Sequence, residues 1–247
     1  MKRIVIIGAT SAMAEHCARL WVAAAPVDLT LIGRDARKLE NIAADLRVRS
    51  PAAQVRIEVA HLLSATDVQA MVDDVVRQGP IDTVLVAHGF LPDQARCQED
   101  LKATHDALEI NAISPVLCAE GFAHVMSQTG MGTIALIGSV AGDRGRKSNY
   151  VYGAAKGLMD RYAQGLQHRF AGTGVKVVLI KPGPTDTPMT AALKSKGGKL
   201  APVEDVAIQI VDAIARGRRV AYVPGRWRLI MMVIRHLPTF VFNKLNI

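Results

Sequence analysis

Three side chains stand at a spacing that suits proton transfer: Ser139, Tyr152 and Lys156. Tyr152 and Lys156 are four residues apart, so a helix puts both on one face. An ammonium beside a phenol stabilises the phenolate and is expected to pull the tyrosine below its usual value of about 10. Tyr152 then becomes an acid or base usable near neutral pH. Tyr150 would face elsewhere and reads as an aromatic that lines an entrance or simply packs. A Tyr-x-x-x-Lys pair alone arises by chance far more often than through catalysis, so its surroundings decide.

A second constellation could hold a dinucleotide. An apolar run ends in Gly8-Ala9-Thr10-Ser11-Ala12-Met13-Ala14 and passes straight into a helical pattern. Glycine there permits a tight turn and close backbone approach, and the free amides at a helix start can cradle a pyrophosphate. Ala12 and Ala14 occupy positions where further glycines would be usual, so a turn that merely packs helix on strand is the competing reading. The second apolar run is followed by Gly33-Arg34-Asp35, about 20 residues past the fingerprint, where a ribose contact is expected. The Arg34 guanidinium suits a 2′-phosphate and favours NADP over NAD. Asp35 could take the ribose or cap the next helix, and capping is preferred.

These residues need a scaffold, and the pattern supplies one. Short β-rich runs cover 3–7, 28–32, 55–59, 83–86, 133–137, 175–180 and 220–223. Helical periodicity fills 12–24, 36–49, 65–78, 101–125, 152–170 and 203–216 between them. Such alternation predicts an α/β domain, a parallel sheet with helices on both faces. Ligand loops should then follow the strands at one edge. Residues 184–200 lack periodicity and, with Gly197-Gly198, read as a lid.

At 247 residues and 50% hydrophobic content the chain can bury a full core, which excludes intrinsic disorder. Cys17, Cys97 and Cys118 form neither a disulfide framework nor a metal pattern, so a reducing compartment is expected, cytosol by default. Met1-Lys2-Arg3 could open an export signal, but the apolar run stops at Gly8 and reads as a buried strand. Seven of the eight surplus positive charges lie in 216–247, which holds no acid. Nucleic acid is the generic partner of a basic patch. Aromatics make up only 4% of the chain, however, and residues 229–234 are unbroken apolar, so lipid is the preferred partner and nucleic acid is not expected.

Taken together the motifs resemble the short-chain dehydrogenase/reductase family. Gly8-x-x-x-Ala12-x-Ala14 resembles its cofactor loop, Asn111-Ala112-Ile113-Ser114 its helix asparagine, and Gly138-Ser139 with Tyr152-Gly153-Ala154-Ala155-Lys156 its active-site order. Lys181-Pro182-Gly183-Pro184-Thr185-Asp186-Thr187 resembles its post-strand loop. The resemblance spans residues 3 to about 225. It implies a single doubly wound Rossmann domain over 1–225 with a mainly parallel seven-stranded sheet, and a separate basic tail over 226–247. It also implies that Tyr152 exchanges a proton with the carbonyl or hydroxyl, Ser139 binds the substrate oxygen, Lys156 holds the nicotinamide ribose, and Asn111 positions a relay water. Cofactor contacts would come from Gly8, Thr10, Ser11, Ala12, Met13, Arg34, Gly89, Pro182, Gly183, Thr185 and Thr187.

Two positions depart from the family. Val86-Ala87-His88-Gly89 stands where Asn-Asn-Ala-Gly is usual, so His88 must be accommodated beside the cofactor, as a substrate contact or satisfied by backbone groups. The adenine-contacting aspartate is replaced by His61, leaving Leu62 as the adjoining contact.

The runs 138–146 and 224–230 resemble more narrowly the bacterial group similar to the reductase component of decaprenylphosphoryl-ribose 2-epimerase, which implies a keto sugar on a lipid phosphate. The tail over 227–247 is too interrupted by Arg235, His236 and Pro238 to span a bilayer. It could lie in a membrane surface, which would place the protein at the inner face of the cytoplasmic membrane, or cover a second subunit, giving a homo-oligomer. The function expected is NADP-dependent reduction of a small-molecule or lipid-linked ketone. Reduction of a 3-ketoacyl thioester, with Arg144, Arg146, Lys147, Lys194 and Lys196 receiving an acidic carrier, is a second reading. A dinucleotide sensor without turnover is a third.

Overall fold

The computed structural model describes residues 1–195 and 197–245. Its strands are β1 (Lys2–Ile7), β2 (Val27–Gly33), β3 (Gln54–Val59), β4 (Thr83–Val86), β5 (Met131–Ile137), β6 (Gly174–Pro182) and β7 (Val220–Val223). They form one sheet in the order β3-β2-β1-β4-β5-β6-β7, parallel throughout rather than mainly so. Because every connection crosses over through a helix, both faces are covered and the strands read as continuous apolar runs.

The helices are α1 (Ala12–Ala24), α2 (Ala36–Arg49), α3 (Ala65–Arg77), α4 (Gln94–Glu99), α5 (Leu101–Leu108), α6 (Ser114–Thr129), α7 (Tyr150–Arg169), α8 (Ala191–Ser195), α9 (Val203–Ala215), α10 (Trp227–His236) and α11 (Thr239–Phe242). Along β1 successive side chains alternate between two cores. Ile4 and Ile6 pack with α1, α2 and α9, while Val5 and Ile7 pack with α3, α6 and α7. All three cysteines are buried and unpaired.

The single helix expected over 101–125 is interrupted. A π-turn at Glu109–Ile113 separates α5 from α6, and α4, ahead of α5, was not expected at all. The cause of the π-turn lies outside the helix: the Asn111 side chain reaches out to another loop, and apolar periodicity does not register one inserted residue. Residues 184–200 are more regular than expected, holding a 3-10 turn at Pro188–Thr190 and α8. A five-residue helix is too short to show a period.

The tail folds back on the sheet's carboxyl edge. Met231 of α10 is fully buried, and a Cβ on Gly183 would fall 2.0 Å from the Trp227 indole nitrogen, so the indole lies directly against that glycine. Arg144, in the loop after β5, donates hydrogen bonds of 2.6 Å to the carbonyls of Ile234 and Leu237. Its guanidinium also lies 3.8 Å from the Phe242 ring centroid. Orphan carbonyls at a helix end thereby gain a cationic donor. The opposite face stays bare, with Leu229 65%, Val233 57% and Phe240 70% exposed. No helix among the described residues is long and apolar enough to cross a membrane.

Arg144→Ala removes both charge-assisted bonds and the ring contact, a loss of about 2 kcal/mol. Limited proteolysis should then cut within 227–242 faster than in the parent protein, with Tm lower by about 5 °C.

Candidate active site

The switch point lies where β1 sits between β2 and β4, and the carboxyl ends of β1, β4, β5 and β6 open onto one cavity of about 340 Å³. Its wall brings together Asn111, Ser139, Tyr152 and Lys156. Ser139 follows β5 in extended backbone, and its Oγ accepts a bond from Ala141 N, starting a 3-10 turn at Val140–Asp143. Tyr152 and Lys156 share the cavity face of α7, with the ammonium 5.8 Å from the phenol ring centroid. Lys156 Nζ is buried and donates to the Ile137 carbonyl at 2.9 Å.

Asn111 is fully buried in the π-turn. Its Nδ2 donates to Ala107 O and its Oδ1 accepts from Phe90 N, both at 2.9 Å, so it fastens the loop after β4 to the helix. Gly89 lies between these groups. A Cβ there would sit 2.8 Å from Asn111 Oδ1 and 3.7 Å from Lys156 Nζ, and its φ of +152° is strained for any other residue.

The electrostatics correct one expectation. Tyr152 is not pulled down: burial pushes it up to about 12, against a smaller opposing effect of the Ser139 hydrogen bond. Burial likewise lowers Lys156 to about 8, with Asp160 pulling the other way. Both groups sit where water is scarce, so desolvation outweighs the opposing effects of Ser139 on the phenol and of Asp160 on the ammonium. Asp160, one turn beyond Lys156, pairs with Lys181 of β6 at 2.5 Å. Lys181 also pairs with Asp143, whose other oxygen accepts a bond from the Tyr222 hydroxyl at 2.9 Å. This buried group, invisible in sequence spacing, binds the loop after β5, α7, β6 and β7 together. A lysine in the post-strand loop and an acid one turn past Lys156 were the available signals.

At the other end, Gly8 has a φ of +77°, and a Cβ there would fall 2.5 Å from His88 N. The turn is closed by Gly8 N and Ala9 N donating to Ile32 O. Ser11 stands at the N-cap of α1, beginning at Ala12, without a side-chain capping bond. Ser11 and Met13 line the cavity, while Thr10 is exposed. Arg34 is exposed after β2 and makes no ion pair among the described residues. Asp35 accepts from Lys38 N at 3.0 Å, which is the capping role.

His88 lines the cavity, and the group that holds it is not backbone as one expectation had it. Its Nε2 lies 2.8 Å from the Ser114 hydroxyl, a side chain rather than backbone, and Nδ1 has no partner. Burial, aided by the Lys156 charge, lowers it to about 3, so the ring is neutral. His61 is exposed beyond β3, while Leu62 packs on the core; neither lines the cavity. Pro182, Gly183, Thr185 and Thr187 also line it. Thr185 is anchored by donating to Gly183 O, and Thr187 N donates to Thr190 Oγ1.

Of the basic residues proposed to receive an acidic carrier, Arg144 is engaged by the tail and Lys194 by Asp186. Arg146 lines the cavity, Lys147 is exposed, and Lys196 lies outside the described residues.

Comparison with known proteins agrees with this architecture. Residues 2–197 match the family model for short chain dehydrogenases. An uncharacterized oxidoreductase of Mycobacterium tuberculosis is 32% identical over 246 residues, covering 98% of this chain and 96% of that one. One from Streptomyces coelicolor is 30% identical over 248 residues, covering 99% and 96%. Among solved structures, a short-chain dehydrogenase from Sphingobium yanoikuyae in complex with NADPH superposes with a TM-score of 0.82 at 22% identity, over 97% of each chain. The NADPH-dependent 3-quinuclidinone reductase from Rhodotorula rubra does so with a TM-score of 0.78 at 20% identity, over 92% of this chain and 91% of that one. With a family model covering most of its length and full-length relatives at this identity, the chain belongs to the short-chain dehydrogenase family.

Proposed function

We propose that the protein is an NADP-dependent reductase that converts a ketone to a secondary alcohol, with Ser139, Tyr152, Lys156 and Asn111 as its catalytic residues. The observation that carries this reading is the convergence of those four side chains on one cavity wall. The residues present also fit the cofactor. Gly8 leaves room that a Cβ would fill, the first amides of α1 have no side-chain cap, and Arg34 offers a free guanidinium where a 2′-phosphate would lie. The solved relatives whose names specify NADPH support the same choice. NADPH, when bound, supplies the hydride; the chain supplies the rest.

A phenol held at about 12 is protonated at neutral pH, the form that donates to a carbonyl oxygen becoming an alkoxide. Ser139 holds that oxygen beside the phenol, since both side chains line the cavity. Lys156 holds the nicotinamide ribose and, as an ammonium, favours departure of the phenolic proton. Asn111 fixes the π-turn, and with it the place of a relay water beside Lys156. Pro182, Gly183, Thr185, Thr187, Met189 and Leu193 complete the lining.

The specific substrate class we propose is a keto sugar on a lipid phosphate, as the narrower resemblance implies. The bare apolar face of α10, flanked by Arg226, Arg228 and Arg235, supports peripheral contact with an anionic membrane or cover by a second subunit. The acyl-carrier alternative loses two of its five basic residues to other contacts, Arg144 to the tail and Lys194 to Asp186. A sensor without turnover leaves the four converging groups without a role.

Tyr152→Phe should bind NADPH as the parent does and lose at least ~1000-fold in kcat; surviving turnover would remove the acid assignment. Arg34→Ala should raise KM for NADPH by ~10-fold or more while leaving that for NADH nearly unchanged. In the cofactor-free protein the Lys156 ammonium is lost as pH rises through about 8, so kcat/KM for NADPH should fall above that pH. Asp160 raises the lysine, so Asp160→Asn should move the fall to lower pH. An unmoved alkaline limb would show that Asp160 does not reach Lys156.

A further inference from the structure

His88 lines the cavity and has no place in the reaction proposed above. Its ring reaches from there into the core. Nε2 meets the hydroxyl of Ser114 at 2.8 Å, and Ser114 is fully buried at the start of α6, three residues after Asn111. Nδ1 is sealed from solvent and has no hydrogen-bond partner among the described residues. Burial and the Lys156 charge keep the ring neutral, so one nitrogen carries a hydrogen and the other a lone pair. A buried nitrogen left unpaired is costly, and such groups are satisfied by protein or by ordered water.

The second observation concerns the hydrogens around that ring. The loop from His88 to Phe90 wraps Asn111 and Lys156: Phe90 N donates to Asn111 Oδ1, and a Cβ on Gly89 would lie 3.7 Å from Lys156 Nζ. An ammonium carries three hydrogens; on Lys156, Ile137 O takes one at 2.9 Å and the Met159 sulfur another at 3.5 Å. An amide nitrogen carries two, and on Asn111 Ala107 O takes one. Each group keeps a hydrogen without an acceptor among the described residues, and no carboxylate lines the cavity to take it. A buried water makes about three hydrogen bonds, and two donors with one acceptor are a set that holds it.

We propose that His88 is a positioning residue for the replacement of the Tyr152 proton, its Nδ1 accepting from a buried water whose oxygen is held by Lys156 Nζ and Asn111 Nδ2. Ser114 fixes the ring by accepting from Nε2–H, which leaves Nδ1 as the bare nitrogen. The proposal rests on the reading of this cavity as a reductase site and adds a residue to it. In each turnover the carbonyl carbon receives a hydride and its oxygen the Tyr152 proton. The phenolate then takes a proton from Lys156, the lysine regains one from this water, and solvent restores the water. His88 gains and loses none, because a ring lowered to about 3 holds no second proton at neutral pH.

The test uses the full-length protein crystallised with and without NADP⁺. An ordered water should lie within about 3.2 Å of both His88 Nδ1 and Lys156 Nζ, and its absence from both crystals overturns the proposal. Two variants separate the ring nitrogens. His88→Asn puts a polar amide group where Nδ1 stands and gives up the Ser114 contact, and His88→Gln does the reverse. In their crystals the water should persist in His88→Asn and leave in His88→Gln. With ethyl 4-chloroacetoacetate as the probe ketone, His88→Asn should keep kcat within ~3-fold of the parent. His88→Gln should lose at least ~10-fold, with KM for NADPH unchanged in both. Any other order of the two variants overturns the positioning role, since a ring that only packs on Ser114 would favour His88→Gln. Failure of NADP⁺ to bind would sink the reductase reading instead, and the water in the cofactor-free crystals still decides what His88 holds.

Discussion

The site depends on keeping one ammonium charged in a place where water does not reach. Lys156 is buried on α7, and its direct partners are the Ile137 carbonyl and the Met159 sulfur, neither of them anionic. No carboxylate touches it. What offsets the desolvation is the group one turn away, where Asp143 and Asp160 share a single Lys181. That group carries one surplus negative charge, and with Lys156 the four side chains are neutral together. Buried charges persist in proteins on this condition, that each finds compensation within a low-dielectric neighbourhood.

The same constraint organises the loop after β5. Ser139 starts it with a self-made turn, Asp143 ties it to β6 and β7, and Arg144 ties it to the carboxyl end of α10. Arg146 and Asn149 then turn back to the cavity before α7 begins. A stretch of about a dozen residues thus couples Ser139, the buried charge group and the tail. Gly183 completes the coupling from the opposite wall, since only a residue without a Cβ lets the Trp227 indole lie against it. The tail is therefore anchored beside the candidate site through one face, whatever its other face meets.

Tyr152 shows how far local spacing carries a chemical argument. The four-residue interval placed the phenol and the ammonium on one helix face, and the structure has them there. The direction in which the phenol shifts did not follow, because burial acts on both groups and a sequence interval holds no information on burial. The phenol, raised by burial, is protonated at neutral pH.

The α/β alternation, a helical segment in each of the six crossovers and all seven strands were legible because a parallel sheet covered on both faces imposes continuous apolar runs separated by a 3.6-residue period. Gly8, Arg34, Asp35 and the Tyr152–Lys156 pair were legible because each acts within one turn or one helix. What only the tertiary structure decided is everything made across elements. Asn111 in the π-turn bonds to Phe90, His88 Nε2 meets Ser114 26 residues away, and Arg144 meets carbonyls 90 and 93 residues later. The Arg146 Nε, without a hydrogen-bond partner among the described residues, belongs there too, for the lack of a partner is a property of the space around a group, and no stretch of sequence encodes that space locally.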